Sequence, residues 1–195
     1  MWASTADLAD ACRRTSFVTG LEDGTLARDR WTAYVAQDAF FLGEFARAYA
    51  LGYAKAGTRA EQATWKALMD GVEAELALHR TQADALGLDL TRVEPRAATL
   101  AYTDFLRAAA FAEAPPQIAA AMAPCMRLYA WLSQTLAPTA RGPYRAWVDT
   151  YADPGFHALA AQVEALQQAP GAVLDRQSRL YRQAMALELG FFLAS

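Results

Sequence analysis

The residue in this chain best suited to covalent chemistry is a cysteine that directly follows a proline inside an apolar stretch. Pro124 cannot donate a backbone N–H, and its ring clashes with the carbonyl of Ala120, so we expect a kinked helix beside Cys125. A kink frees backbone polar groups and opens space near the thiol. Cys125 is therefore a candidate nucleophile, although a lone cysteine on an apolar face is more often a small buried hydrophobic residue.

Two carboxylates stand on helical faces that are otherwise apolar. Asp38 shares its face with Tyr34 and Phe41. Glu188 shares its face with Phe191. Burying an ionised, unpaired glutamate costs several kcal/mol, so the pKa of Glu188 should rise and make it a proton donor. Two structural alternatives stay open: Asp38 pairs with an arginine or caps a helix, and Glu188 points to water at a rim.

Three tyrosines are further candidates for the same site. Tyr129 follows Cys125 by one helical turn, Tyr102 begins a Tyr-Thr-Asp-Phe run, and Tyr151 precedes a predicted helix break. Buried tyrosine hydroxyls need hydrogen-bond partners, so a polar site in the bundle interior would satisfy them. Each tyrosine taken alone is more often a core residue.

The histidine content argues against a metal enzyme. Glu75 and His79 are four residues apart and can present two ligands on one helical face, whereas His157 has no carboxylate at helical spacing. A di-iron bundle commonly uses several carboxylates and two or more histidines. We therefore expect no metal and no other cofactor, and keep a metal-dependent oxidase as the weaker alternative.

Composition excludes several classes of partner. The 195 residues are 54% hydrophobic and carry a net charge of −3 without a basic cluster, which disfavours nucleic acid and anionic membranes. The uncharged stretch over residues 114–126 is too short to span a bilayer, and no signal peptide is evident. Two cysteines cannot form a disulfide framework, so we expect a cytoplasmic protein.

Helical periodicity runs through nearly all of the sequence, and turn-bounded β-branched runs are absent. We predict one all-α helical domain over residues 1–195. A turn is predicted over 21–25, and Gly87 is predicted to cap a helix C-terminus. The predicted helices cover about 5–19, 27–56, 59–86, 95–113, 115–136, 143–153 and 156–168, with a last helix after Pro170 and Gly171 that ends near 193.

Six segments, in order, resemble the TenA family of thiaminase II proteins. Each motif alone is weak, but six in the same order are fairly specific. They are FVTGLEDGTL at 17–26, YVAQDAFFL at 34–42, AYTDF at 101–105, APCMRLY at 123–129, PYRAWVDTY at 143–151 and LELGFFLA at 187–194.

The resemblance implies a haem-oxygenase-like bundle without haem, usually a homotetramer, that hydrolyses an aminopyrimidine such as aminomethylpyrimidine or thiamin to hydroxymethylpyrimidine. By that resemblance Cys125 attacks the ring, Glu188 protonates a ring nitrogen, and Asp38 binds the aminopyrimidine edge and helps to activate the thiol. The implied aromatic wall consists of Phe41, Tyr102, Tyr129, Tyr151 and Phe191.

Two positions depart from the family pattern. Phe41 stands where many members have a tyrosine, and Arg127 stands where members often have a large apolar residue. These departures leave the substrate open and favour, as an alternative, a non-catalytic or divergent module that binds a flat heterocycle.

Overall fold

In a computed structural model, residues 1–169 and 172–195 are described, and the regular secondary structure of this part of the chain consists of helices, without a β-strand. The predicted all-α class is therefore confirmed. Single 3-10 turns lie at Trp2–Thr5, Leu90–Arg92 and Gly142–Tyr144. The helices are α1 (Ala6–Arg13), α2 (Ser16–Asp23), α3 (Arg28–Lys55), α4 (Arg59–Leu86), α5 (Ala97–Ala112), α6 (Pro115–Leu136), α7 (Arg145–Ala152), α8 (Pro154–Leu166) and α9 (Leu174–Ala194).

Local capping sets the ends of α4 and α6 where the sequence predicts them. The Thr58 side chain accepts from the backbone of Glu61, whose carboxylate accepts from the backbone of Thr58, and Gly87 ends α4 with a positive φ of 70°. Pro115 occupies the first turn of α6, where its missing N–H costs nothing. The helix continues through Pro124 to Leu136.

The predicted first helix over 5–19 is wrong, because the chain forms two helices there. Thr15 adopts extended backbone angles, and its hydroxyl accepts from the Val18 N–H at 3.3 Å, so it starts α2 instead of continuing α1. The turn predicted over 21–25 is also shifted, since α2 reaches Asp23 and Gly24 caps it at φ 78°. The helix predicted over 156–168 begins earlier, at Pro154, because the Asp153 side chain caps α8. Pro170 and Gly171 lie outside the described residues.

Helix α6 lies at the centre of the bundle and packs against α9, α8 and α7, with further contacts to α5 and α3. Its alanine-rich sequence is almost entirely buried and lets neighbouring helices approach closely. On another side, α3 packs along α4, and Gly52 allows this approach, because a Cβ there would stand 2.8 Å from the Trp65 ring. Over residues 1–169 and 172–195, no helix has the length and apolar character needed to cross a bilayer.

Candidate active site

Five helices bring the predicted site residues together in the interior of the bundle. Each residue is at most 9% exposed. Asp38 and Phe41 come from α3, Tyr102 from α5, Cys125 and Tyr129 from α6, Tyr151 from α7, and Glu188 and Phe191 from α9.

Glu188 connects the thiol of α6 to a phenol of α5. The Tyr102 hydroxyl donates to Glu188 Oε1 at 2.8 Å, and the Cys125 thiol hydrogen-bonds the same carboxyl group. Burial raises the pKa of Glu188 to about 8, which outweighs the lowering effect of these two hydrogen bonds. Glu188 therefore holds a proton near neutral pH and can act as a proton donor in this site.

The Cys125 sulfur rests as a thiol. Burial raises its pKa well above the usual value, and the neighbouring carboxylates of Glu188, Glu75 and Asp38 raise it further. Negative charge from Asp38 thus disfavours the thiolate, which argues against the expected activation of the thiol by this residue. For this sulfur to act as a nucleophile its proton would have to leave, and the hydrogen-bonded Glu188 can accept that proton once it has given up its own.

Asp38 is held by two donors from different elements. His79 Nε2 lies 2.8 Å from Asp38 Oδ2, and the Tyr34 hydroxyl donates to the same oxygen at 3.1 Å. Burial alone would lower the pKa of His79, but the hydrogen bond and charge of Asp38 raise it to about 9. The histidine is therefore protonated, and its Nδ1–H donates to the Glu75 carbonyl at 3.1 Å.

A third carboxyl group, that of Glu75, approaches the site from α4. The Tyr151 hydroxyl donates to Glu75 Oε1 at 2.5 Å. Burial and the nearby charge of Asp38 raise the pKa of Glu75 to about 7. Since Glu188 also has a raised pKa, two carboxyl groups near Cys125 can exchange protons at neutral pH.

Ligand atoms of Asp38, Glu75 and His79 lie within 4.8 Å of one another, which is the donor set of a possible divalent metal site. A protonated His79 cannot ligate a metal, and its Nε2 is already engaged by Asp38. A metal would have to displace that proton.

Aromatic rings wall the site. Tyr129 and Tyr151 meet edge to face with ring centroids 4.8 Å apart, and Phe41 lies 4.8 Å from Tyr102 and 6.0 Å from Phe191. The space beside the thiol, which we call the inner cavity, has a volume of about 10 Å³ and is lined by Asp38, Phe41, Leu42, Phe45, Glu75, Cys125, Met126, Tyr129, Tyr151 and Phe156.

A larger surface depression of about 430 Å³, the outer groove, adjoins the inner cavity. Glu75 and Phe156 line both spaces. The outer groove is lined by Gly71, Ala74, Glu75, Leu78, Asp149, Thr150, Asp153, Gly155, Phe156 and Leu159.

Sequence reasoning did not identify the contacts of three residues. The sequence predicts Tyr34 on the face of Asp38, but its hydroxyl also lies 3.4 Å from the Tyr129 hydroxyl and accepts from Trp147 Nε1 at 3.0 Å. For His79 and Glu75 the sequence indicates only the role of metal ligands. Their four-residue spacing was the available signal, since it places both side chains on one face of α4.

Arg127 and His157 stand apart from the inner cavity. The Arg127 guanidinium lies over the ring of Trp2, 5.3 Å from its centroid. This departure from the family pattern therefore affects the contact between α6 and the N-terminal 3-10 turn. His157 Nδ1 lies 3.4 Å from Gln134 Nε2 near the surface. Phe41, in contrast, lines the inner cavity, and the hydroxyl of a tyrosine is missing there.

Comparisons with known proteins agree with this architecture. The multifunctional thiamine biosynthesis protein ThiED of Corynebacterium efficiens is 35% identical over 203 residues, which cover 98% of this chain and 27% of that protein. The chain therefore spans about a quarter of that relative. The aminopyrimidine aminohydrolase of Halalkalibacterium halodurans is 32% identical over 152 residues, 74% of this chain and 68% of that protein.

A solved structure described as a TenA family transcription regulator from Silicibacter sp. TM1040 superposes with a TM-score of 0.90 at 31% identity, covering 98% of this chain and 92% of the other. The model of the TENA/THI-4/PQQC family matches residues 2–195. With nearly the whole sequence matched, the chain belongs to the TENA/THI-4/PQQC family.

Proposed function

We propose that this protein hydrolyses an aminopyrimidine, either aminomethylpyrimidine or thiamin, to hydroxymethylpyrimidine in thiamin salvage. Cys125 is the nucleophile, Glu188 is the acid and base, and Asp38 binds the aminopyrimidine edge. The similarity to aminopyrimidine aminohydrolases supports the reaction class.

One observation carries the proposal: a buried thiol hydrogen-bonds a protonated glutamate that a tyrosine holds in place. The Cys125–Glu188–Tyr102 chain lies within aromatic walls that exclude water. A pyrimidine ring is electron-poor, and protonation of a ring nitrogen makes its carbons easier to attack. One carboxyl group can give a proton to the ring and take the thiol proton in the same step.

The reaction balances with these groups. Glu188 passes its proton to the ring nitrogen and accepts the Cys125 thiol proton while the carbon–sulfur bond forms. Ring electrons then expel the leaving group from the methylene carbon, and the bonding pair stays on the departing nitrogen. Thiamin loses its cationic thiazolium as neutral thiazole, and protonated aminomethylpyrimidine loses its ammonium group as neutral ammonia. Water adds to the methylene carbon and releases a proton to solvent. The carbon–sulfur bond breaks, sulfur regains its proton from Glu188, and the ring proton returns to Glu188.

Binding needs some movement of the walls. A volume of about 10 Å³ holds roughly one water molecule, which is far less than a pyrimidine ring. Met126 is an adaptable side chain in the wall, and Phe156 stands between the inner cavity and the outer groove. Asp38, fixed by His79 and Tyr34, supplies a rigid acceptor for the ring amino group.

A turnover assay tests the proposal. Purified protein is incubated with aminomethylpyrimidine and, separately, with thiamin, and hydroxymethylpyrimidine is quantified by chromatography with mass detection. Formation of this product by the parent supports the proposal. Absence of turnover on both compounds contradicts the proposal. Binding in calorimetry without turnover would favour the non-catalytic module. That module is the main alternative because Phe41 lacks the hydroxyl of a tyrosine.

The cluster of Asp38, Glu75 and His79 supports a second, weaker candidate, a metal-dependent oxidase. Metal analysis of the purified protein separates it from the hydrolase, since stoichiometric bound metal is expected only for the oxidase. Activity that survives exhaustive chelation would exclude it.

We also propose that the protein is one cytoplasmic domain that forms a homotetramer or homodimer. Phe111, Leu174 and Leu193 are each about two-thirds exposed, and a subunit interface would cover side chains of this kind. Both cysteines are free, in keeping with a reducing compartment. Size-exclusion chromatography with light scattering measures the oligomeric state.

A further inference from the structure

The Glu75 side chain lies where the outer groove meets the inner cavity. It lines both spaces, as does Phe156, so these two side chains form the boundary between them. Glu75 is half-buried, whereas Glu188 is 1% exposed. A carboxyl group at this boundary faces the part of a bound ligand that points from the ring toward solvent.

In the binding mode proposed above, Glu75 stands beside the departing arm of the substrate. Its carboxylate lies within 4.8 Å of ligand atoms of Asp38 and His79. In aminomethylpyrimidine the ring amino group and the aminomethyl arm are on adjacent carbons. A ring whose amino group binds Asp38 therefore brings its arm close to Glu75, on the side open to the outer groove.

The proton affinity of Glu75 suits this position. Burial and the charge of Asp38 raise its pKa to about 7, so protonated and ionised forms coexist near neutral pH. A group with a pKa near the working pH transfers protons most effectively. The Tyr151 hydroxyl, which donates to Oε1 at 2.5 Å, fixes the carboxyl group and leaves its second oxygen for a ligand.

We infer that Glu75 is a second proton-transferring residue, which provides the departing amine with the proton that it needs to leave as ammonia. This inference rests on the proposed function. It assigns separate proton tasks to the two glutamates: Glu188 serves the ring nitrogen and the thiol, and Glu75 serves the leaving group.

The step balances in atoms and electrons. The amine nitrogen and Glu75 share one proton, written either as ammonium with carboxylate or as amine with carboxylic acid. When the carbon–nitrogen bond breaks, its electron pair stays on nitrogen, and the shared proton leaves with it as neutral ammonia. Glu75 remains as a carboxylate and is reprotonated from solvent.

Thiamin supplies the discriminating comparison. Its departing thiazolium nitrogen is already cationic and carries no hydrogen, so it leaves as a neutral thiazole without a proton. Removal of the Glu75 proton should therefore slow loss of the amine and leave loss of the thiazole nearly unchanged. A purely structural role for Glu75 would slow both substrates alike.

The test compares Glu75→Gln with the parent on both substrates. Glutamine keeps the size of the side chain and an oxygen that can accept from Tyr151. We expect kcat with aminomethylpyrimidine to fall about 100-fold or more, and kcat with thiamin to change by less than about tenfold. Glu73→Gln, at an exposed position on the same helix, is the matched control and should change neither.

Two further variants keep the test decisive. Glu75→Asp retains a carboxyl group and should keep more amine turnover than Glu75→Gln. Tyr151→Phe removes the hydroxyl that fixes Glu75 and should slow amine turnover more than thiamin turnover. Equal slowing of both substrates by Glu75→Gln, or a parent that acts on thiamin alone, overturns the inference. If the parent acts on aminomethylpyrimidine but not on thiamin, the trimethylammonium derivative of aminomethylpyrimidine replaces thiamin in the comparison. A parent that acts on none of these compounds contradicts the proposed function itself.

Discussion

The hydroxyl of Tyr102 lies 2.8 Å from Glu188 Oε1, so a phenol of α5 fixes a carboxyl group of α9 in the dry interior of the bundle. The same carboxyl group meets the Cys125 thiol of α6. Three helices that are distant in sequence therefore meet at one protonated glutamate, and both the stability and the chemistry of the protein should depend on its proton.

The pKa of Glu188 links stability to pH. Its usual value is 4.5, and burial raises it to about 8 in the folded chain. Between these values the folded state keeps a proton that the unfolded chain has released, so the free energy of unfolding falls as pH rises, by up to about 1.4 kcal/mol per pH unit. We expect Glu188→Gln to show a shallower fall in urea denaturation between about pH 5 and pH 8.

The pH dependence of the free energy of unfolding should become weaker without disappearing, because the raised pKa values of Glu75 and His79 act in the same direction and persist in that variant. Glu73→Gln should leave the slope unchanged. An equally steep fall in Glu188→Gln would show that Glu188 is ionised in the folded state.

Replacing the proposed nucleophile should separate folding from activity. Cys125→Ala removes one buried sulfur and should cost about 1–2 kcal/mol of stability. Turnover of aminopyrimidines should fall by orders of magnitude, because the covalent step is lost. Cys12→Ala, at the other buried cysteine, is the control and should retain activity. Full activity of Cys125→Ala would rule out covalent catalysis by this residue.

The ion pair of His79 and Asp38 should contribute strongly to stability. Both side chains are buried, so His79→Ala leaves a carboxylate with the Tyr34 hydroxyl but without a counter-charge. We expect a loss of about 3 kcal/mol in the free energy of unfolding, measured by urea denaturation. His157→Ala, near the surface, should stay within about 0.5 kcal/mol of the parent. Similar small losses in both variants would contradict the buried pair.

The close approach of α3 and α4 should tolerate no side chain at Gly52. A Cβ there would stand 2.8 Å from three atoms of the Trp65 ring, so Gly52→Ala should cost about 1–3 kcal/mol through overpacking. Gly43→Ala lies on the same helix with nothing within 4 Å of the new Cβ and should stabilise by about 0.5–1 kcal/mol. Thermal unfolding followed by circular dichroism measures both. Destabilisation by Gly43→Ala, or none by Gly52→Ala, would contradict the packing.

Local chemistry explains why much of the fold was predictable. Gly87 and Pro115 mark helix ends through backbone preferences that depend only on near neighbours, and the structure ends α4 and begins α6 at those positions. The break at Thr15 was missed, because an apolar pattern continues across it while a side-chain cap decides the boundary. Helical spacing also placed Asp38, Glu188 and Cys125 on apolar faces.

The sequence by itself therefore determined the helical class and the inward direction of the polar side chains. Only the tertiary structure decided their partners. His79 meets Asp38 across 41 positions of sequence, and Tyr102 meets Glu188 across 86. Such pairs depend on how two helices pack, which periodicity along one helix cannot specify. Packing also determined the electrostatics, since burial raises the pKa of the Cys125 thiol and the three carboxyl groups gathered around it raise that pKa further.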